Sequence, residues 1–230
     1  MDANMVYLGG KSRIAKKIAN VILSRTTDRD VYLEPFVGGA SVFVEMAPHF
    51  KRPIASDLHP DLIAMWQAVA KGWEPPYITK ERYYELKAGP VCAERGFAGF
   101  ACSFSGKWWG GYAKPNSQGN DYVKAAQRSV TKSRFPRAAF LHTSYDYWTP
   151  AISKGVVVYA DPPYADTTSY STNAGDVWPT FDKWAEQGAQ VFVSEYKAPA
   201  HWTCIADFPL RLMTEGRGCG EIRTERLFTR

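Results

Sequence analysis

The stretch Val-Val-Val-Tyr-Ala-Asp-Pro-Pro-Tyr at residues 156–164 predicts a buried strand that runs into a stiff loop. Its first five residues are apolar or aromatic, as in strands covered on both faces of an α/β sheet. Pro162 and Pro163 end the ladder, because proline fixes φ and has no N–H to donate. Asp161 and Tyr164 are thereby held at the carboxyl end of a strand, where open α/β sheets bind ligands. The alternative is a strand-ending turn in which Asp161 caps and Tyr164 packs.

Length and composition indicate a folded chain. Its 230 residues can bury a full core, which suggests one α/β domain with an insertion, or two small domains. Hydrophobic residues at 45% and aromatic residues at 14% exclude the disordered class. No apolar run approaches the roughly 20 residues of a membrane span, and the N-terminus lacks the layout of a signal peptide. The four cysteines are scattered without a CxxC pair, so we expect reduced thiols, no metal site and a cytoplasmic location.

The first 60 residues predict the nucleotide-binding half of a Rossmann-like sheet. Gly-Gly-Lys at residues 9–11 precedes a helix that Ser12 is expected to cap; this turn could meet an anionic group of a ligand, or be a plain turn. A strand at residues 31–34 leads into Gly-Gly at residues 38 and 39 and then a helix, without the GxGxxG pattern. Asp57 ends the next strand, about 20 residues after the glycines, where a carboxylate can accept ribose hydroxyls. A helix cap is its alternative role.

Residues 72–137 interrupt this alternation and predict an inserted, partly helical segment. A helix over residues 121–132 carries Lys124, Arg128 and Lys132 along one face. Residues 101–150 hold seven basic and two acidic residues, which accounts for the whole net charge of +5. Most charge runs are solvated surface, but an excess concentrated among aromatic residues favours contact with a polyanion.

The remainder of the chain resumes the α/β pattern. We expect strands at residues 140–143 and 190–194. A helix over residues 178–187 is expected between the strand of residues 156–164 and the strand of residues 190–194. Alternating patterns through residues 208–212 and 221–228 predict two edge strands.

Four segments together resemble the Dam-type DNA adenine-N6 methyltransferases. They are Tyr-Leu-Gly-Gly-Lys at residues 7–11, Glu-Pro-Phe-Val-Gly-Gly-Ala-Ser at 34–41, Ser-Asp-Leu-His-Pro-Asp-Leu-Ile at 56–63 and Asp-Pro-Pro-Tyr at 161–164. The resemblance implies an α/β, Rossmann-like sheet that binds S-adenosyl-L-methionine. It also implies a catalytic domain formed by residues 1–71 and 138–230, with residues 72–137 as an inserted DNA target-recognition subdomain.

The resemblance further implies the roles of individual residues. The catalytic loop would comprise Asp161, Pro162, Pro163 and Tyr164. The cofactor-binding residues would be Tyr7, Gly9, Gly10, Lys11, Glu34, Phe36, Gly38, Gly39, Ala40, Asp57 and Asp161. Tyr7 departs from the Trp of the best-known members. The insertion only faintly echoes the family's recognition segment, so no base-reading residues are carried over.

The insertion itself supplies the expected DNA contacts. We expect them from Lys107, Trp108, Trp109, Lys124, Arg128, Lys132 and Arg134. The two tryptophans could instead belong to the core of a small helical subdomain. Amide side chains that could read adenine edges fall mostly in a predicted loop, which favours relaxed sequence specificity.

The predicted reaction is methyl transfer to N6 of an adenine flipped out of duplex DNA. The Asp161 carboxylate and the Pro162 carbonyl would accept hydrogen bonds from the two N–H groups of the amino group, while Tyr164 stacks on the ring. Two alternatives remain open: an enzyme of the same fold that acts on RNA or on cytosine N4, and a non-catalytic nucleic-acid-binding module.

Overall fold

A computed structural model describes residues 5–133, 135, 137–163, 176–211 and 222–230. Within these residues seven strands form one sheet. The strands are β1 (Val31–Glu34), β2 (Arg52–Asp57), β3 (Ala139–His142), β4 (Val156–Ala160), β5 (Gln190–Glu195), β6 (Thr203–Arg211) and β7 (Ile222–Thr229).

The strand order is β3-β2-β1-β4-β5-β7-β6, and the first five strands are parallel. From β1 the chain builds outward through β2 and β3 on one side, and then returns to the middle to add β4 and β5 on the other. The direction of winding therefore reverses between β1 and β4, where open α/β sheets form a ligand-binding crevice at the carboxyl ends of the strands. The predicted Rossmann-like α/β fold is confirmed.

The sheet ends in an antiparallel pair rather than in two edge strands. β7 pairs with both β5 and β6, so β6 is the outer strand and β7 is internal. The prediction that both were edge strands is therefore wrong for β7. Its Leu227 and Phe228 are buried in the clusters on opposite faces of the sheet, as expected of an internal strand.

Helices flank the sheet close to the predicted positions. They are α1 (Ala15–Arg25), α2 (Ser41–Met46), α3 (Pro60–Ala70), α4 (Lys80–Lys87), α5 (Ala93–Gly96), α6 (Tyr122–Lys132) and α7 (Trp178–Glu186). Ser12 does not cap α1, because the backbone N–H groups of Ile14 and Ala15 bond the Lys11 carbonyl in a separate turn before the helix. Within the described ranges, no helix has the length and apolar character needed to cross a membrane.

Side chains of the central strands alternate between two hydrophobic clusters. In β4, Val157 and Tyr159 join the cluster that contains α1, α2 and α3, whereas Val158 and Ala160 join the cluster that contains α7. Because both faces are covered, the strand carries an unbroken apolar run. This explains why the sequence of β4 is so recognisable.

The segment of residues 72–137 packs directly on α3. Asp61 of α3 and Arg95 of α5 form an ion pair of 2.5 Å, and the Asp61 carboxylate also accepts the Cys92 N–H at 3.2 Å. A Cβ on Gly96 would lie 2.1 Å from the Asp61 carbonyl oxygen, so this close approach requires glycine. The buried hydrophobic residues of the segment belong to the same cluster as α1, α2 and α3. Its separation as a recognition subdomain stays a prediction.

Candidate active site

A pocket of about 320 Å³ lies at the carboxyl ends of β1, β2 and β4, at the point where the winding reverses. Twelve residues predicted for the cofactor site and catalytic loop line it: Tyr7, Gly9, Gly10, Lys11, Glu34, Phe36, Gly38, Gly39, Asp57, Asp161, Pro162 and Pro163. Ala40 is fully buried and does not line the pocket; it precedes α2 in a left-handed conformation with φ 57°. Tyr164 falls outside the described residues.

The glycine turn after β1 is shaped to receive the ring of Tyr7. A Cβ on Gly39 would lie 2.7 Å from the Tyr7 Cβ, and a Cβ on Gly38 would lie 2.9 Å from Cε1 of the same ring. Gly38 also has a positive φ of 45°, which favours glycine. Trp66 of α3 fixes the turn from behind, because its indole N–H donates to the Gly38 carbonyl at 2.9 Å. The turn and the N-terminal segment therefore form one wall of the pocket.

The Asp57 carboxylate joins two turns at the pocket. One oxygen accepts the Gly38 N–H and the other accepts the His59 N–H, each at 3.0 Å. Burial raises the pKa of Asp57, and these amide bonds oppose that rise. Asp57 makes no side-chain cap on α3, whose first residue is Pro60. A carboxylate has about four acceptor positions, so two amide bonds leave capacity for hydroxyl groups of a ligand.

Lys11 and Asp161 form an ion pair inside the pocket. The Lys11 Nζ lies 2.6 Å and 2.8 Å from the two carboxylate oxygens, and 3.8 Å from a carboxylate oxygen of Glu225. The Lys11 side chain is only 5% exposed. Burial opposes its charge, but Asp161 and Glu225 outweigh burial and raise the pKa of Lys11 above its usual value. The lysine predicted to meet an anionic ligand group thus contacts the predicted catalytic acid.

Glu34 lies at the end of β1 beside this ion pair. It is 2% exposed, and one carboxylate oxygen accepts the Tyr32 hydroxyl at 2.6 Å. Burial raises the pKa of Glu34 well above its usual range, although the Tyr32 hydrogen bond acts in the other direction. The environment therefore favours the neutral form of Glu34, which avoids repulsion between two buried negative charges at Glu34 and Asp161.

Several residues that line the pocket were not predicted from the sequence, among them His59, Phe100 and Tyr145. The His59 ring contacts Trp108 and Phe100 with centroid distances of 4.2 Å and 4.8 Å, and Phe36 stacks on Tyr145 at 5.2 Å. Burial lowers the pKa of His59. His59 follows Asp57 by two positions, and Tyr145 follows the carboxyl end of β3. Residues just after parallel strands lie at the ligand-binding edge of the sheet, so the sequence could have indicated both as pocket residues.

The residues predicted to contact DNA occupy three different environments. Lys107 and Trp108 line the pocket, whereas the half-buried Trp109 packs on Tyr83 at a centroid distance of 4.8 Å, which favours the core interpretation for its ring. The charged side chains of α6 are exposed, on the surface opposite its buried residues; they are Lys124, Arg128 and Lys132. Arg134 is not among the residues that the structure describes.

The chain is similar in sequence to known DNA methyltransferases. Residues 7–88 match the family model of the D12 class N6 adenine-specific DNA methyltransferases. A DNA adenine methylase from Vibrio cholerae (El Tor Inaba N16961) is 27% identical over 233 residues, covering 84% of this chain and 81% of that protein. The predicted family resemblance is confirmed. An adenine-specific DNA methyltransferase is the class of enzyme that these matches support.

A second relative matches over a shorter region of this chain. Type II methyltransferase M.CviBI from Paramecium bursaria Chlorella virus NC1A is 36% identical over 66 residues, which are 29% of this chain and 24% of that protein.

Solved structures of other methyltransferases align with most of the chain. The 23S rRNA methyltransferase ErmE aligns at 10% identity with a TM-score of 0.45, covering 97% of this chain and 69% of that one. An rRNA methylase from Streptococcus thermophilus aligns at 8% identity with a TM-score of 0.41, covering 93% of each chain.

Proposed function

We propose that this protein transfers a methyl group from S-adenosyl-L-methionine to N6 of an adenine in DNA. One observation carries the proposal. The rigid Asp161-Pro162-Pro163 loop, the glycine turn and the Asp57 carboxylate line a single pocket at the reversal point of the sheet. The family match over residues 7–88 supports adenine methylation in DNA as the reaction of this pocket.

The acceptors and small residues of the pocket fit S-adenosyl-L-methionine. Asp57 retains acceptor capacity for ribose hydroxyls, and the glycine turn lets a ligand approach the backbone. Ser41 lines the same pocket, and its buried hydroxyl has no hydrogen-bond partner within the described part of the chain. When bound, the cofactor supplies a methyl group on a positively charged sulfur. The carboxylates of Asp57 and Asp161 suit a cationic ligand, since opposite charges attract across a partly dry site.

The catalytic loop then acts on the amino group of the base. Adenine N6 is a poor nucleophile because its lone pair is conjugated with the ring. The Asp161 carboxylate and the Pro162 carbonyl accept hydrogen bonds from its two N–H groups. These hydrogen bonds favour a pyramidal nitrogen and stabilise the positive charge that develops on it. Prolines stiffen the loop, so these acceptors need little reorganisation. Lys11 holds the Asp161 carboxylate in place through the ion pair. Tyr164 is assigned the stacking role on the base.

The target base must leave the duplex to reach this pocket, because N6 is not accessible to the loop inside a base-pair stack. Residues 72–137 are assigned to DNA contact, through Lys107 and Trp108 at the pocket and the cations of α6 at phosphates. Binding dominated by phosphates predicts relaxed sequence specificity.

A cytoplasmic location belongs to this proposal and is supported by the free cysteines Cys92, Cys102 and Cys204.

The experiment that tests the function is a direct product analysis. Purified protein is incubated with S-adenosyl-L-methionine labelled in the methyl group and with plasmid DNA or total RNA, and the nucleosides are separated by mass spectrometry. The expected product is N6-methyladenine in DNA. N4-methylcytosine or methylated RNA would instead indicate an enzyme of the same fold that acts on cytosine N4 or on RNA. Absence of transfer together with absence of cofactor binding by calorimetry would favour the non-catalytic module.

A further inference from the structure

Glu34 is a buried acid that lines the candidate active site. It is 2% exposed at the carboxyl end of β1, yet it forms part of the pocket wall together with Asp161. The Tyr32 hydroxyl of the same strand donates to one of its carboxyl oxygens at 2.6 Å. Glu34 is therefore held in a fixed place between the protein interior and the space where a ligand binds.

The positive charge nearest to the catalytic loop is shared by two other carboxyl groups. The Lys11 Nζ lies 2.6 Å and 2.8 Å from the oxygens of Asp161 and 3.8 Å from an oxygen of Glu225. Glu34 forms no ion pair with the part of the chain that the structure describes. A negative charge on Glu34 would thus lack a counterion of its own and would repel the charge of Asp161.

The surroundings of Glu34 explain its protonation. Burial raises the pKa of Glu34, the Tyr32 hydrogen bond lowers it, the Asp161 carboxylate adds to the rise and the Lys11 ammonium reduces it. The titratable groups around Glu34 come from its own strand, from β4 and its loop, from the N-terminal turn and, beyond Lys11, from β5 and β7; they are Tyr32, Tyr159, Asp161, Lys11, Glu195 and Glu225.

The methyl donor and its product differ by one charge as well as by one methyl group. S-adenosyl-L-methionine has a positively charged sulfur, whereas S-adenosyl-L-homocysteine, which remains after the transfer, has a neutral thioether. The methyl group must reach an amino group that Asp161 binds, so the charged sulfur must come close to Asp161 and to its neighbour Glu34. A positive charge at this place supplies the counterion that Glu34 lacks and favours its ionised form.

We propose that Glu34 distinguishes the methyl donor from the spent product by charge. In the free protein Glu34 is a neutral acid. When S-adenosyl-L-methionine binds, the Glu34 carboxyl group releases its proton to the solvent and the carboxylate attracts the sulfonium charge. When S-adenosyl-L-homocysteine binds, Glu34 keeps its proton. This discrimination rests on the proposed function, because it requires the donor to bind in the pocket beside Asp161.

Proton release makes the preference for the donor depend on pH. Glu34 holds a proton in the free protein and loses it in the complex with the donor, so affinity for the donor increases as the pH rises. One released proton strengthens binding by up to about tenfold per pH unit. Affinity for the product does not gain in this way, so the donor is favoured more strongly at higher pH.

The test counts the protons released when each ligand binds. The wild-type protein is titrated calorimetrically with S-adenosyl-L-methionine and with S-adenosyl-L-homocysteine in buffers of different ionisation enthalpy, and the slope of heat against ionisation enthalpy gives the number of protons. The titrations run from about pH 6 to about pH 7, below the range in which an α-amino group titrates. Glu34→Gln keeps the size of the side chain and a carbonyl acceptor for Tyr32 but has no proton to release. The matched control is Glu195→Gln, which removes a titrating carboxyl group that does not line the pocket.

We expect the wild-type protein to release between roughly 0.5 and 1 more proton with the donor than with the product. Its preference for the donor should increase by roughly threefold to tenfold over one pH unit. In Glu34→Gln the difference in proton release should disappear, and the preference should no longer change with pH. Glu195→Gln should keep the wild-type difference.

Two results would overturn the role of Glu34 while leaving the proposed function in place. The first is a wild-type protein that releases equal numbers of protons with both ligands, a comparison that requires no variant. The second is a folded Glu34→Gln protein that keeps the wild-type difference, above all if Glu195→Gln loses it. A wild-type protein that binds neither ligand would contradict the proposed function as well.

Discussion

Lys11 and Asp161 are 150 residues apart in the sequence, yet the Lys11 Nζ lies within 2.6 Å and 2.8 Å of the two carboxylate oxygens of Asp161. The ion pair joins the N-terminal turn to the loop after β4 across the reversal point of the sheet. Both ends are largely shielded from water, with the lysine side chain 5% and the aspartate side chain 19% exposed. The cation therefore fixes the direction of the predicted catalytic carboxylate before any substrate binds.

Replacement of Asp161 by alanine tests the chemistry. The loss of one preorganised polar contact of this kind lowers a rate by about 10²–10³, so we expect methyl transfer by Asp161→Ala to fall by at least that factor. Single-turnover transfer to DNA is the measurement. Asp161→Ala also leaves the Lys11 ammonium 3.8 Å from Glu225 without its nearer partner, so thermal unfolding must be followed in parallel. Transfer by the folded variant at nearly the wild-type rate would contradict the assignment.

Replacement of Asp57 tests the cofactor site. Asp57→Ala removes an acceptor for ligand hydroxyls and should weaken S-adenosyl-L-methionine binding by roughly 1–3 kcal/mol, the size of a charge-assisted hydrogen bond. Calorimetric titration measures the affinity, and DNA binding without cofactor should change little. The matched control is Asp57→Asn, which keeps one carbonyl acceptor for the amides of Gly38 and His59 but lacks the charge. A fall in thermal stability of Asp57→Ala without any change in cofactor affinity would give Asp57 a structural role only.

Much of this arrangement follows from local sequence patterns. The apolar run of β4 and the acid that ends β2 identify parallel strands, and functional groups after parallel strands converge at one edge of the sheet. Asp57 and Asp161 could therefore be placed in one pocket before the structure was known. Ser12 failed as a helix cap because the turn before α1 uses backbone groups alone, and residue preference does not reveal that choice.

The remaining features depend on contacts between distant parts of the chain. The partnership of Lys11 with Asp161 requires the N-terminal turn to lie against the loop after β4, and no local pattern encodes that distance. Trp108 and Phe100 line the pocket because Arg95 anchors α5 on Asp61 of α3. A sequence pattern shows that residues 72–137 differ from the sheet, but not that they complete its pocket.

The raised pKa of Glu195 predicts that the stability of the protein depends on pH. Burial raises the pKa of this side chain at the end of β5 from 4.5 to about 7, the Tyr196 N–H opposes the rise, and the carboxyl groups of Glu225 and Asp161 add to it while Lys11 reduces it. The folded protein therefore holds a proton that the unfolded chain has already lost between about pH 4.5 and pH 7. The contribution of Glu195 to stability is fully present below this window, declines as the pH rises through it, and is constant above it.

The variant Glu195→Gln isolates this contribution. It keeps the size of the side chain but cannot titrate, so its free energy of unfolding minus that of wild type should increase from pH 4.5 to pH 7 and then level off. Urea denaturation at a series of pH values measures the difference, and Glu186→Gln, which changes an exposed carboxylate on α7, provides the control. A difference that is independent of pH would show that Glu195 titrates alike in the folded and unfolded chains.

The exposed cations of α6 predict how DNA affinity responds to salt. Each phosphate that a protein neutralises adds about −0.9 to the slope of log affinity against log salt on duplex DNA. Lys124, Arg128 and Lys132 are exposed on one helix, so each alanine variant should flatten the slope by about one unit and weaken all DNA sequences alike. Fluorescence anisotropy at several salt concentrations measures the slopes, with Lys16→Ala on α1 as a control for the loss of an exposed cation elsewhere. Unchanged slopes would exclude α6 from the DNA contact, and a methylation map confined to one strict motif of four or more bases would contradict relaxed specificity.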